Sequence, residues 1–132
     1  MYLLDTDTVI YFLKGHSRVV ENFKAHRKIP KALSVITYGE LIFGCRKSQH
    51  VVENLARIRQ LAECYPIFDV TRSIMECFGE MKALLTRSGK PVDDFDLLIA
   101  CTALTMNYTI VTNNVKHFQK ITGLKVVNWT QG

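Results

Sequence analysis

The chain has 132 residues, 48% of them hydrophobic and 22% charged, which is the balance of a folded domain and not of a disordered chain. Its longest apolar runs fall far short of a membrane span, and residues 1–132 are expected to form one domain. Seventeen Lys and Arg against twelve Asp and Glu leave a formal charge of +5, compatible with a polyanionic partner and equally with a plain cytosolic protein.

Tyr2 to Leu4 reads as a strand with no basic leader before it, so a cytoplasmic location is expected. "LLDTDTV" then places Asp5 and Asp7 one residue apart. An Asp-x-Asp after a strand suits a haloacid-dehalogenase-type phosphatase, with Asp5 as nucleophile and Asp7 as general acid. A strand-end aspartate also suits a metal-dependent nuclease, and either residue suits the plain role of helix cap. A helix through Val9, Ile10 and Leu13 is expected to stop at Gly15, and Ser17 to cap the next, which carries Val19, Val20 and Phe23.

Leu33 to Val35 reads as the second strand and Thr37 to Arg46 as a helix. Ser48 is expected to open a helix with Val51, Leu55, Ile58 and Leu61 on one face. Ile67 and Phe68 make a short strand, and Thr71 caps a helix bearing Ile74, Phe78, Met81 and Leu85. "RSGKP" is the clearest loop. Leu97 to Leu104 is apolar nearly all round, the mark of a helix at the centre of a fold. Thr109 to Val111 is a strand, Val115 to Lys120 a short helix, and Leu124 to Val127 a last strand. Cys45, Cys64, Cys77 and Cys101 lack metal-ligand spacing and read as reduced, buried thiols. Strands alternating with helices, too apolar to face water, predict an α/β fold with a parallel sheet wrapped by helices.

In such a sheet the working surface lies beyond the carboxyl ends of the strands. Asp5 ends the first strand, Asp93, Asp94 and Asp96 begin the central helix, and Asn113 and Asn114 follow a later strand. Glu40 shares its helix face with Ile36 and Phe43, and no Lys or Arg stands three or four residues away. A carboxylate buried there needs a cation, either a metal ion or a distant arginine. Taken singly, each acid has a structural reading: Asp5, Asp7 or Asp94 as a helix cap, Glu40 as a paired core acid. Together, Asp5, Glu40 and Asp96 on three elements favour a shared divalent cation, and Mg²⁺ accepts such a sparse carboxylate set.

"YLLDTDTVIYFLKG", "LSVITYGELIFG", "GKPVDDFDLLIACTAL" and "TIVTNNVKHFQKITGLKVVNW" resemble four successive motifs of PIN-domain proteins, most closely the VapC toxins of bacterial VapBC toxin–antitoxin pairs. The resemblance implies a three-layer α/β/α fold with a mainly parallel sheet of four to five short strands. It implies an endoribonuclease using one or two Mg²⁺ or Mn²⁺ ions, with Asp5, Glu40 and Asp96 as its acids and Thr112 as a supporting residue. It further implies a homodimer, silenced by a VapB-type antitoxin within a larger assembly, and no membrane association.

Two positions depart from the family pattern. His117 stands where close relatives often carry a fourth acid, and Asn114 where other PIN domains place an aspartate. Both changes remove negative charge from a metal site, which Asp93 or Asp94 could restore. A degenerate module that binds RNA or antitoxin without cutting is therefore an alternative to the enzyme, beside the phosphatase. The expected reaction is attack of metal-activated water on structured RNA, of tRNA or rRNA class, leaving 5′-phosphate and 3′-hydroxyl ends. Lys14, Arg46, Lys47, Lys90 and Lys116 lie near the motifs and are candidates for backbone phosphate contacts.

Overall fold

The computed structural model describes residues 1–131. The first half of the chain forms β1 (Tyr2–Leu4), α1 (Thr6–Leu13), α2 (Ser17–Ala25), β2 (Lys31–Ser34), α3 (Val35–Arg46) and α4 (Val51–Cys64). The second half forms β3 (Ile67–Phe68), α5 (Arg72–Arg87), α6 (Asp94–Met106), β4 (Thr109–Val111), α7 (Val115–Phe118) and β5 (Val126–Val127). All five strands run parallel in one sheet, in the order β3-β2-β1-β4-β5.

Strand alternation sorts the core onto two faces. Leu3, Ala32 and Ile110 pack on one side with Ile74 and Leu85 of α5, Leu97 and Ala100 of α6, and Phe118 of α7. Leu4, Leu33 and Val111 pack on the other with Val9, Val19, Phe23, Leu55, Ile58 and Trp129. Both sides of the sheet are thus dry, the condition under which short parallel strands persist. The result is the three-layer α/β/α arrangement. No helix among the described residues is long and apolar enough to cross a membrane.

The strand order carries the functional consequence. The chain builds outward from β1 through β2 to β3, then returns to lay β4 on the opposite side of β1. The crevice between the carboxyl ends of β1 and β4 is therefore the topological switch point, where open parallel sheets bind ligands. Asp5 follows β1 and Thr112 follows β4.

Several boundaries differ from the sequence reading, each for a local reason. The second strand is Lys31–Ser34 and stops before Val35, because the Ser34 hydroxyl accepts the Ile36 N–H at 3.1 Å and starts α3 there. The cap of α2 is the His16 imidazole, accepting from the Val19 N–H at 3.4 Å, and Ser17 is the first helical residue. Ser48 belongs to the end of α3, donating to the Cys45 carbonyl at 2.7 Å, so α4 begins only at Val51. The last strand shortens to Val126–Val127 and the helix before it to Val115–Phe118. The four cysteines are free, but Cys64 is exposed and Cys77 only half-buried, so a buried position holds for Cys45 and Cys101 alone.

Candidate active site

Asp5 caps α1 from an extended backbone, its Oδ1 accepting the Thr6 N–H at 2.8 Å. It is only 3% exposed, and its Oδ2 accepts the Thr112 hydroxyl at 2.7 Å across the switch point. The cap role and the site role thus coincide in one side chain. Thr112 is held in turn: its Oγ1 accepts the Asn114 N–H at 3.0 Å, which leaves its own proton for Asp5. Asp7, one turn position further, accepts the Asn113 N–H at 3.1 Å on Oδ2.

Asp96 comes in from the first turn of α6, half-buried, with Oδ2 at 3.3 Å from Nδ1 of His117. Burial pushes the Asp5 carboxyl up to about 7, and the charge of Asp7 and then of Asp96 adds to it, against the pull of the Thr112 and Thr6 hydrogen bonds. Asp7 is raised as well, by burial first and in smaller part by Asp96. Asp96 is raised by burial and by Asp93, with the His117 contact opposing. Three carboxylates therefore feel one another in a place poor in water.

Glu40 corrects the sequence reading. It is half-buried, not sealed in the core, and its Oε1 accepts the Thr6 hydroxyl at 2.7 Å. Its supposed apolar neighbour Phe43 is 64% exposed. Neither a metal nor an arginine is needed to explain it. Thr6 links it to the rest: the same residue gives its N–H to Asp5 and its hydroxyl to Glu40. Sequence reasoning missed this bridge, although the Asp-Thr pair at the strand end was the available signal.

The other candidates separate cleanly. Asp93, and not Asp94, caps α6, its Oδ2 accepting the Phe95 N–H at 3.1 Å. Asp94 is exposed and paired with Lys82 at 2.9 Å, so its charge already has a cationic partner. Asn114 and His117 line a recess beside the carboxylates, together with Lys116. Lys14 and Lys47 line grooves that adjoin Glu40. Arg46 and Lys90 are exposed, at the end of α3 and in the loop after α5.

Whether this set fits a divalent cation follows from its own chemistry. Among the described residues, Asp5 and Asp7 have no lysine or arginine partner, and the only ion-pair contact of Asp96 is His117. No lysine or arginine among the described residues pairs with them to offset the mutual repulsion. Among the same residues, no three His, Cys, Asp or Glu side chains are grouped closely enough to hold a metal ion. The expected convergence of Asp5, Glu40 and Asp96 on one cation is thus not met by their side chains alone. An open, oxygen-rich, negatively charged set of this kind fits Mg²⁺, which takes one or two carboxylates and keeps several waters, better than an ion that demands a closed protein shell.

The chain is 34% identical to the ribonuclease VapC1 of Haemophilus influenzae strain R2866, with 99% of each chain covered. It is 33% identical to the tRNA(fMet)-specific endonuclease VapC of Shigella flexneri over 98% of each. Its fold superposes on a chain of VapBC2 from Rickettsia felis, bound to a DNA fragment from their promoter. That match has a TM-score of 0.90 and 31% identity, over 97% of this chain and 98% of the other. The PIN domain family model matches residues 2–124. Carboxylates gathered at the β1–β4 switch point and a likeness that runs nearly end to end lead to one assignment: the chain belongs to the PIN-domain family.

Proposed function

We propose that this protein is the ribonuclease toxin of a toxin–antitoxin pair, a cytoplasmic, single-domain endoribonuclease that cuts structured RNA with the help of Mg²⁺ or Mn²⁺. The observation that carries the reading is the buried, doubly hydrogen-bonded Asp5, its carboxyl raised by burial and by the charges of Asp7 and Asp96, with no lysine or arginine among the described residues paired with it. Likeness to VapC ribonucleases and to chains of VapBC complexes supports the activity and an antitoxin partner, and we extend it to a homodimer within a larger assembly.

Asp5 and Asp96 would hold the ion, with Asp7 adding charge and Glu40 acting through water. When bound, the cation acidifies a water molecule and offsets negative charge on the phosphate. The chain's own residues do the rest. Thr112 and the Thr6 N–H fix both oxygens of Asp5, so its free lone pairs point in set directions. Glu40, steadied by the Thr6 hydroxyl, would reach the ion through one of its waters and help to orient that water. Asp96 lies in the first turn of α6, where the helix dipole favours its charged form. Lys14 and Lys47, on the grooves beside Glu40, and Lys116, on the opposite side, suit the phosphates flanking the cut. Water as nucleophile leaves 5′-phosphate and 3′-hydroxyl ends.

The test is cleavage of structured RNA by antitoxin-free protein in Mg²⁺, in Mn²⁺ and in EDTA, with Asp5→Ala and Asp96→Ala alongside. Cleavage that needs metal and both aspartates is expected. Full activity in EDTA, or 2′,3′-cyclic phosphate products, would overturn the mechanism.

A further inference from the structure

On the α7 side of the carboxylates lies a recess of about 520 Å³, within the about 300–1,000 Å³ range of small-molecule sites. Its lining is unusual for this chain: Asn113, Asn114, Lys116, His117, Gln119 and Asn128 contribute carboxamides, an imidazole and one ammonium. Its outer wall is preset. Oδ1 of Asn128 accepts the Thr130 N–H at 2.9 Å and hydroxyl at 2.6 Å, and Oδ1 of Asn113 accepts the Asn128 side-chain N–H at 3.4 Å. By contrast, among the described residues the Asn114 and Gln119 side chains make no hydrogen bond within the protein, and both are exposed.

The recess is joined to the reaction centre at two points. Asn113 gives its N–H to Asp7 on one wall, and His117 contacts Asp96 on the other. Anything seated there touches residues that themselves contact Asp7 and Asp96. A carboxamide presents a donor and an acceptor side by side, which is the pattern that pairs with the edge of a nucleobase. Such edges are open in unpaired RNA and closed to side chains in an A-form helix.

The geometry points to a nucleobase-reading subsite: Asn114 and Gln119 hydrogen-bond the edge of one unpaired base adjacent to the scissile phosphate, and Lys116 holds the phosphate beyond it. This rests on the ribonuclease reading and adds the part of the substrate that reading leaves open. Asn114 and Gln119 are specificity residues here, while Asn113 and Asn128 hold the wall.

The experiment cleaves an RNA pool carrying a randomised unpaired stretch and sequences the new 5′ ends. Wild type, Asn114→Ala, Gln119→Ala and Gln119→Glu are compared, with Asp5→Ala as the blank. The wild type should favour one base at a fixed offset from the cut. The alanine variants should flatten that preference by about fivefold or more, the worth of one lost base contact. Gln119→Glu, which keeps acceptors and loses the donors, should shift the preference toward bases that offer an amino group. An unbiased wild type, or a bias unchanged in all three variants, overturns the subsite while leaving the nuclease intact. No metal-dependent cleavage of any pool member by the wild type removes the ribonuclease reading and the subsite together. Because both side chains are exposed and unpartnered, the variants are expected to fold, and their melting temperatures should match the wild type.

Discussion

The two sides of the candidate centre are built on different principles. At the sheet switch point, Asp5 is 3% exposed, both its oxygens are engaged, and Thr112 is itself locked by the Asn114 N–H. On the α3 rim, Glu40 is half-buried, held by one hydroxyl, and flanked by the exposed Phe43 with Lys47 5.0 Å above its ring. The first side is preorganised and strained by charge; the second is open and adjustable. The difference teaches where cost sits: repulsion among buried acids is tolerated only where hydrogen bonds and packing over-determine their positions.

The largest effect should come from the buried side. Asp5→Asn is expected to lower RNA cleavage by more than about 100-fold, above the 10–100-fold typical of residues that only support a metal ligand. The same change should alter how stability depends on pH. The folded Asp5 carboxyl sits at about 7 against an ordinary 3.8, so the native state holds its proton more tightly than the unfolded chain. Metal-free wild type should then lose stability as pH rises from about 4 through 7, by at most on the order of 4 kcal/mol, and level off above. Asp5→Asn has no such proton, so the difference in melting temperature should move in the variant's favour across that window. An equal pH dependence in both proteins would show that burial does not raise Asp5. Saturating Mg²⁺ should recover the loss in wild type and do little in the variant.

Next in size is Thr112→Val, which removes a donor to Asp5 and should cost about 10–100-fold in activity. It should also lift the midpoint of the wild-type stability loss to higher pH, since that hydrogen bond lowers the Asp5 pKa. Glu40→Gln, on the open side, keeps an acceptor for Thr6 and should cost only about tenfold, the low end for a group that supports a metal site, chiefly in kcat. Equal losses at 112 and 40 would erase the contrast between the two sides.

His117→Glu tests the boundary between them, replacing an imidazole 3.3 Å from Asp96 with a carboxylate. Tighter Mg²⁺ binding by calorimetry, with raised cleavage at low metal, is expected. Unchanged binding would make position 117 irrelevant to the ion. The smallest effect lies outside the centre. The Thr37 hydroxyl is fully buried without a partner among the described residues, so Thr37→Val should stabilise the fold by about 1 kcal/mol in denaturant unfolding, with activity unchanged.

Much of the architecture was readable locally. Ile67–Phe68, Thr109–Val111 and the Thr71-capped helix lie where alternation, periodicity and caps predict. The misplacements at Ser17 and Ser48 share a cause: several polar residues in a row can cap, and only the backbone path selects one. At Val35 a β-branched residue that suits a strand is taken into α3 by the Ser34 cap. Glu40 was misjudged for a related reason. A helical wheel gives α3 a face with Ile36 and Phe43, but cannot say that the rim around Phe43 is left open to solvent.

By itself the sequence determined the α/β alternation, the strand-end positions of Asp5 and Thr112 and the helix-start position of Asp96. These depend on periods of two and 3.6 residues and on side chains close together along the chain. Only the tertiary structure decided that β4 returns beside β1, which brings Thr112 within 2.7 Å of Asp5, and that α1 meets α3, which joins Thr6 to Glu40. Those pairs lie 107 and 34 residues apart, and contacts at such separation are fixed by how the sheet closes on its core, not by local propensity.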